Sequence, residues 1–227
     1  MDVSPQQIRW VLISVFTLVI SVALHEFGHA FMADKLGDDT PRRQGRVTLN
    51  PIAHADPIGT LLLPLVGGIY AAASGVVGGF GWGRPVQWQP ARVRRGVNMA
   101  TAKILVAVAG PLMNVLLGTL VAFVHVVLLH QGVISPDSDM NMVLLFASLT
   151  NFTLFFFNLL PLPPLDGGHV AESFTPYKHR SKFEEYARFA PFVILGVMMI
   201  PQARWVFQLP ARWCTSQLYE AFDALFK

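Results

Sequence analysis

The chain has 227 residues, of which 53% are hydrophobic and only 14% are charged. Soluble domains carry about 25% charged residues, so this composition excludes an ordinary soluble domain, a disordered chain and a coiled coil. The formal net charge of +3 comes from basic residues that lie between apolar blocks, a pattern typical of membrane proteins and not of nucleic-acid binding. Cys214 is the only cysteine, so no disulfide can form within the chain.

Three apolar runs are long enough to cross a bilayer, which takes about 20 residues of helix. They cover residues 10–33, 104–129 and 142–165. A shorter apolar run near the C-terminus predicts a further helix over residues 186–209 when its flanks are included. The tail after it has apolar residues three to four positions apart, Leu218, Phe222 and Leu225, and predicts an amphipathic helix at the membrane surface.

The run over residues 61–82 is apolar but is interrupted by one proline and many glycines. Its interruptions are Pro64, Gly67, Gly68, Gly75, Gly78, Gly79 and Gly81. Because glycine and proline break regular elements, we expect a membrane-embedded or re-entrant segment, with a short helix followed by extended chain. The alternation of Val86 and Trp88 just after it is compatible with a short β-strand.

Basic residues mark one side of the predicted membrane protein. Lysines and arginines follow the first helix, precede the second and follow the third, whereas the loop over residues 130–141 has no lysine or arginine. The positive-inside rule places the basic loops in the cytoplasm, so the first and third helices run inward and the second runs outward. Both flanks of the glycine-rich run then lie on one side, which favours re-entry over a single crossing.

The predicted fold is therefore an all-α polytopic membrane protein in the plasma membrane of its cell, with a glycine-rich embedded segment and one or two helices beyond the three long ones. We expect one domain over residues 1–227. Its core covers residues 10–170, and a C-terminal helix with its amphipathic tail covers residues 186–227.

Three titratable residues, His25, Glu26 and His29, lie near the inner end of the first predicted helix. Positions i and i+4 share one helix face, so the two imidazoles can hold one Zn²⁺ and Glu26 can reach a water beside it. At about 1.5 Å per residue the motif lies on the order of 10 Å below the cytoplasmic surface, where ionisable side chains are costly and indicate function. The alternative is a polar patch that holds helices together.

A hydrolytic zinc site needs a third protein ligand, and Asp166 is the candidate. It follows the third predicted helix, which runs in the same direction as the first, so its carboxylate ends near the same membrane face. Prolines before it unwind the helix, and Gly167 and Gly168 permit a sharp bend. The alternative, a plain proline–glycine helix stop, is the weaker interpretation beside His25 and His29.

Four more polar residues are candidates for supporting roles. Asn114 is an amide within the second predicted helix, equally suited to bind a substrate backbone or another helix. His54 and Asp56 lie after the first helix and could approach the site from the cytoplasm, although capping of the next element is the simpler role. His169 is either a support for the Asp166 region or a solvated loop residue.

Three segments in this order resemble the site-2 protease family of intramembrane zinc metalloproteases. They are His25-Glu26-Phe27-Gly28-His29, Gly110-Pro111-Leu112-Met113-Asn114, and the segment from Asn158 through Pro161 to Asp166-Gly167-Gly168. The resemblance covers residues 20–170 and fits a short bacterial branch without a PDZ domain or an additional leading span. The glycine-rich run resembles the membrane-embedded strand region of that family, near which substrate is thought to pair.

The resemblance implies a three-helix catalytic core and specific roles for its residues. One zinc ion per chain is held by His25, His29 and Asp166, and Glu26 is the general base. The implied substrates are transmembrane proteins, cut within or near the bilayer. Asn158, like Asn114, is then a candidate to contact substrate or to support the metal ligands.

Two other function classes use similar residues. A membrane transporter for metal or other ions also places histidine and carboxylate side chains within the bilayer, but the inverted repeats that would support one are not visible. A catalytically inactive relative that binds transmembrane partners is the other alternative. The intact Glu26 and the three candidate ligands argue against it.

Overall fold

The structure, a computed structural model, describes residues 3–74 and 81–226 of the chain. Its helices are α1 (Pro5–Lys35), α2 (Thr40–Arg43), α3 (Pro51–His54), a π-helical segment (Pro57–Leu62), α4 (Leu63–Ser74), α5 (Met99–His130), α6 (Asp139–Asn158), α7 (Asp166–Phe174), α8 (Arg180–Met199) and α9 (Trp205–Ala224). Short 3₁₀ turns lie at Pro90–Arg92 and Tyr177–His179.

Among the described residues, α1, α5 and α6 are the three helices long and apolar enough to cross a membrane, which confirms the predicted all-α polytopic fold. α5 packs against both of the others. An ion pair of 2.7 Å between Arg9 and Asp139 joins the starts of α1 and α6. The start of α5 packs instead against the last turn of α1, through Ala102 and Ala33. α1 and α6 therefore run in one direction and α5 in the other, as predicted.

The two ends of this bundle are named here by the ends of α1. The Pro5 end is where α1 and α6 begin, and the Lys35 end is where they finish and α5 begins. Each long helix starts with a polar cap: the side chains of Ser4, Asn98 and Ser138 accept hydrogen bonds from N–H groups of the first turn. Such caps satisfy donors that have no partner inside the helix.

The glycine-rich run enters the bundle at the Lys35 end and returns to it. α4 packs against α1 and reaches the Pro5 end, where the carbonyl of Ala72 accepts a hydrogen bond of 2.8 Å from Nε2 of Gln7. The chain has returned by Trp82, whose N–H donates to the carbonyl of Gly59 at 3.1 Å. Both flanks of the run therefore lie on one side of the bundle, as the charge pattern predicted. Gly75, Gly78 and Gly79, which are part of the predicted interruption, lie outside the described residues.

The chain over residues 81–89 is extended, but the expected short strand is not found in the described residues. The N–H groups of Trp82 and Arg84 donate to the carbonyls of Gly59 and His54, at 3.1 and 2.9 Å. Those acceptors belong to helical segments and not to a neighbouring strand. An extended chain without a ladder partner is not a sheet, whatever its sequence alternation.

The helix predicted over residues 186–209 is two helices in the structure. α8 ends at Met199 and α9 begins at Trp205, and the turn between them contains Pro201. Proline commonly follows a helix end because it cannot continue the helix. α8 exposes large apolar side chains, including Phe189 and Phe192, as a helix in contact with lipid does.

α9 packs against α6 and α5. At the Lys35 end Phe207 contacts Phe157, with ring centroids 5.3 Å apart. Toward the Pro5 end the Tyr219 hydroxyl lies 2.8 Å from Nδ1 of His125. The apolar side of the tail therefore faces two helices, which corrects the expectation of an interfacial helix. The physical reason is that His125 of α5 supplies a hydrogen-bonding partner for the Tyr219 hydroxyl, so α9 can pack along the bundle.

Candidate metal centre

Three side chains from two helices meet at the Lys35 end of the bundle. His25 and His29 lie one turn apart on α1, and Asp166 is the first residue of α7. The two Nε2 atoms are 3.0 Å apart. The Asp166 carboxylate lies 3.1 Å from Nε2 of His25 and 3.3 Å from Nε2 of His29. Sequence reasoning had placed these residues near one membrane face, and the structure brings them into contact distance.

Close packing of two glycines puts Asp166 in this place. A Cβ at Gly167 would overlap the carbonyl of Leu159, and one at Gly168 would lie 2.5 Å from the backbone nitrogen of Pro163. α7 can therefore begin directly against the turn that follows α6. Both glycines are helical and neither has a positive φ. Glycine is needed at both positions because a side chain would not fit there, and not because of the sharp backbone bend that the sequence suggested.

The outer nitrogen of each imidazole is fixed by a hydrogen bond. Nδ1 of His29 lies 2.7 Å from the carbonyl of Val106, which can only accept, so this nitrogen carries the proton. Nδ1 of His25 lies 2.7 Å from Oδ1 of Asn114. The amide of Asn114 is oriented because Nδ2 donates to the Ser21 carbonyl and to Oδ1 of Asn151, each at 3.0 Å. Both Nε2 atoms then carry lone pairs that face Asp166.

This arrangement fits a zinc ion. Both Nε2 atoms and the Asp166 carboxylate converge on one point, and Oδ2 of Asp166 is buried without a hydrogen-bond partner in the described part of the chain. A buried carboxylate oxygen without a hydrogen-bond partner is costly, and a bound cation would offset that cost. Two imidazoles and a carboxylate are an established ligand set for catalytic zinc, and bonds of about 2.0 Å at tetrahedral angles place donors roughly 3.3 Å apart.

Glu26 lies beside the three candidate ligands but takes no part in the hydrogen bonds that fix them. A Cβ on Gly83 would lie 3.1 Å from its Oε1, so the carboxylate touches the extended segment after α4. Its Oε2 lies 3.9 Å from Nη2 of Arg46. The carboxylate, both imidazoles and Asp166 line a cavity of about 1180 Å³ whose walls are mostly apolar.

The weaker candidates divide into two groups. Asn158 and His169 line the same cavity, although Nδ2 of Asn158 donates to the Leu154 carbonyl of its own helix. His54 and Asp56 do not line it. His54 is fully buried, its Nε2 bonds the carbonyl of Thr48 at 2.8 Å, and burial lowers the pKa of its imidazole. Asp56 accepts hydrogen bonds from the first N–H groups of the π-helical segment, which is the capping role.

Sequence reasoning missed three contributors to the site. Asn151 orients Asn114, Arg46 approaches Glu26, and Gly110 is the residue against which both imidazoles pack. A signal existed for Asn151, since an amide within an apolar helix needs a partner. The nearest neighbours of Gly110 in space are the imidazole rings themselves.

Replacing Asn114 by alanine is expected to weaken zinc binding about 10- to 100-fold, the usual cost of removing an outer partner of a ligating histidine. The reason is that the His25 ring would lose the acceptor that fixes its orientation. Competition with a chelator of known affinity measures the effect. Thr153→Val is the matched control, because the Thr153 hydroxyl bonds only the Leu149 carbonyl of its own helix. Equal zinc affinity in Asn114→Ala and wild type would contradict the orienting role.

The chain is similar to several curated proteins along most of its length. "Putative zinc metalloprotease YwhC" of Bacillus subtilis (strain 168) is 34% identical over 94% of this chain and 92% of the relative. "Putative zinc metalloprotease Rip2" of Mycolicibacterium smegmatis is 32% identical over 87% of this chain and 73% of the relative. The protein of the same name in Mycobacterium tuberculosis (strain H37Rv) is 28% identical over 85% and 71%.

No solved structure matches the chain. The sequence profile of peptidase family M50 matches residues 13–200, a range that includes all three motifs and every candidate ligand. This match and the relatives confirm the family that the motifs resembled. The chain therefore belongs to peptidase family M50, the family of the site-2 metalloproteases.

Proposed function

We propose that the protein is an intramembrane zinc metalloprotease that hydrolyses peptide bonds of transmembrane substrates. One observation carries the proposal: Nε2 of His25, Nε2 of His29 and the Asp166 carboxylate converge within 3.0–3.3 Å, beside Glu26, in a bundle of helices apolar enough to cross a bilayer. The zinc metalloprotease names of the relatives support it. The alternative role of these residues, as helix glue, does not require two imidazoles and a carboxylate to converge on one point beside Glu26.

The chemistry assigns a role to each residue. His25, His29 and Asp166 hold one zinc ion per chain, which when bound would supply Lewis acidity toward a peptide carbonyl and acidify a water molecule. Glu26 takes the proton from the attacking water and passes it to the nitrogen of the leaving amine. Asn114 keeps the His25 ring in the tautomer that a ligand needs. No covalent bond between enzyme and substrate is required.

The cavity supports a substrate that is unwound at its cut site. A transmembrane helix keeps its carbonyls in its own hydrogen bonds, so a segment must open before a carbonyl can reach the centre. The cavity of about 1180 Å³ is lined by Trp82, Trp88 and Phe157 as well as by the candidate ligands, and is large enough for several residues of extended chain. Helix-breaking residues near the cut site would lower the cost of opening.

The proposed orientation places the active site toward the cytoplasmic side of the plasma membrane. Exposed basic residues such as Lys35, Arg42 and Arg94 gather near the Lys35 end of the bundle, where the candidate ligands lie. The loop between α5 and α6 at the opposite end carries no lysine or arginine. This asymmetry is the one that the positive-inside rule associates with cytoplasmic loops.

Removal of zinc tests the proposal directly. Purified full-length protein in liposomes, given a single-span substrate, should contain one zinc ion per chain and cut the substrate. A chelator should abolish cleavage, and added zinc should restore it, because no serine or cysteine is among the described residues that line the cavity. Metal analysis and mass spectrometry of the fragments are the measurements. Cleavage by a zinc-free preparation would refute the metal role, and zinc uptake into vesicles without proteolysis would indicate a transporter.

A further inference from the structure

Arg46 is a charged side chain buried beside Glu26, and the chemistry proposed above gives it no role. It lies in the loop between α2 and α3 and is only 4% exposed, whereas the other arginines of the described ranges are exposed or partly exposed. Burying an arginine costs on the order of several kcal/mol unless its charge is matched and its donors are satisfied. Its contacts therefore indicate what the burial achieves.

Two backbone carbonyls anchor the guanidinium of Arg46. Nη1 donates to the carbonyl of Ala53 at 2.9 Å, and Nη2 donates to the carbonyl of Arg84. Ala53 lies in α3, before the membrane-embedded segment, and Arg84 lies in the extended chain after it. The guanidinium thus joins the two flanks of that segment. Both acceptors are neutral, so a neutral amide side chain could bond them without the cost of a buried charge.

The charge of Arg46 is matched by Glu26. Nη2 lies 3.9 Å from Oε2 of Glu26, and no other ion pair of this carboxylate occurs among the described residues. Oε2 of Glu26 and Nε of Arg46 are both buried without hydrogen-bond partners in the same part of the chain. On its other side the carboxylate touches Gly83, where a Cβ would come within 3.1 Å of Oε1. Glu26 is therefore confined between a guanidinium and a glycine backbone.

We propose that Arg46 is a positioning residue for Glu26: its guanidinium, fixed by both flanks of the membrane-embedded segment, holds the carboxylate in its place beside the candidate ligands. The inference rests on the proposed function, because it concerns the base of that reaction. An arginine suits the task because its planar fork reaches two carbonyls and a carboxylate together, which the single ammonium of lysine cannot do in the same geometry.

The test compares Arg46→Gln and Arg46→Lys in the full chain with wild type. Gln keeps a neutral donor for the carbonyls and removes the charge. We expect kcat for a single-span substrate to fall about 10- to 100-fold, with KM and zinc content unchanged within about twofold. Arg46→Lys keeps the charge and should recover part of the loss. Arg95→Gln is the matched control: it removes an exposed positive charge from the loop before α5, where Arg95 contacts neither Glu26 nor Arg46, so its kcat should equal that of wild type.

Two outcomes overturn the inference: a wild-type kcat in Arg46→Gln, or a loss that follows lower zinc content or a higher KM, which marks a purely structural role. If Arg46→Gln folds poorly, chemical rescue of Arg46→Gly tests the proposal instead. Free guanidinium, but not methylammonium, should then raise its kcat, and absence of that rescue contradicts the proposal. Wild type and Glu26→Gln are assayed in parallel. An inactive wild type or an active Glu26→Gln refutes the proposed function itself, a result distinct from a failure confined to the Arg46 variants.

Discussion

Replacing Glu26 by glutamine is expected to lower the rate of substrate cleavage about 100- to 10,000-fold, the contribution typical of a general base. Glutamine has nearly the same shape, but its amide cannot accept the proton of the attacking water. Zinc content should not change, because Glu26 is not among the three candidate ligands. The measurement is single-turnover cleavage of a single-span substrate in liposomes, together with metal analysis of the same preparation.

The control for this experiment is Glu184→Gln, which neutralises an exposed carboxylate on α8. It should cleave substrate at the wild-type rate. If Glu26→Gln also retains that rate, Glu26 is not the base and another proton acceptor must be sought in the cavity. If instead the variant loses its zinc together with its activity, Glu26 serves the metal and not the water. When activity is lost, metal analysis of the same preparation distinguishes loss of the base from loss of zinc.

Replacing Gly110 by alanine is expected to reduce zinc affinity by more than about 100-fold and to abolish cleavage. An added Cβ would overlap Nε2 of His29 and lie 2.9 Å from Nε2 of His25. The helix backbone of α5 cannot retreat without disturbing its packing on α1, so the rings must turn away from Asp166. Loss of one outer hydrogen bond costs about 10- to 100-fold; displacement of two ligands at once should cost more.

Gly196→Ala is the matched control, because a Cβ at that position of α8 meets no atom within 4 Å. Alanine there should leave zinc binding and cleavage unchanged and should support helix formation slightly better than glycine. Wild-type zinc affinity in Gly110→Ala would show that the imidazoles do not pack against α5 as described. A variant that binds zinc normally but unfolds at a lower temperature would assign Gly110 to helix packing alone.

Hydropathy and charge were sufficient to predict the main architecture. The three long helices, their alternating directions and the return of the glycine-rich segment all depend on burial in lipid and on the positive-inside bias, which act on long stretches of sequence. The path of α9 was not predictable in this way. Its amphipathic pattern predicted a helix on the membrane surface, and only contacts such as that of Tyr219 with His125 show that α9 packs against another helix.

The candidate ligands were accessible from the sequence because a helix fixes the spacing of His25 and His29, and the predicted topology carries Asp166 to the same end. Arg46 and Gly110 were not accessible. Arg46 occurs among several loop arginines and differs from them only in its burial. The proximity of Gly110 to the imidazoles depends on the rotation of α5 about its axis. Periodicity alone does not determine that rotation when a helix is apolar on all sides.

The order of the candidate ligands along the chain bears on how the protein is assembled. Two of them belong to the first long helix, but Asp166 begins α7, after the third long helix has been completed. A nascent chain that has inserted only its early helices therefore lacks one of the three donors. In the proposed centre the full donor set becomes available only late in translation, when α6 has entered the bilayer, so proteolytic competence would be coupled to completed assembly. A ribosome-bound intermediate would carry no active centre that could cut its neighbours.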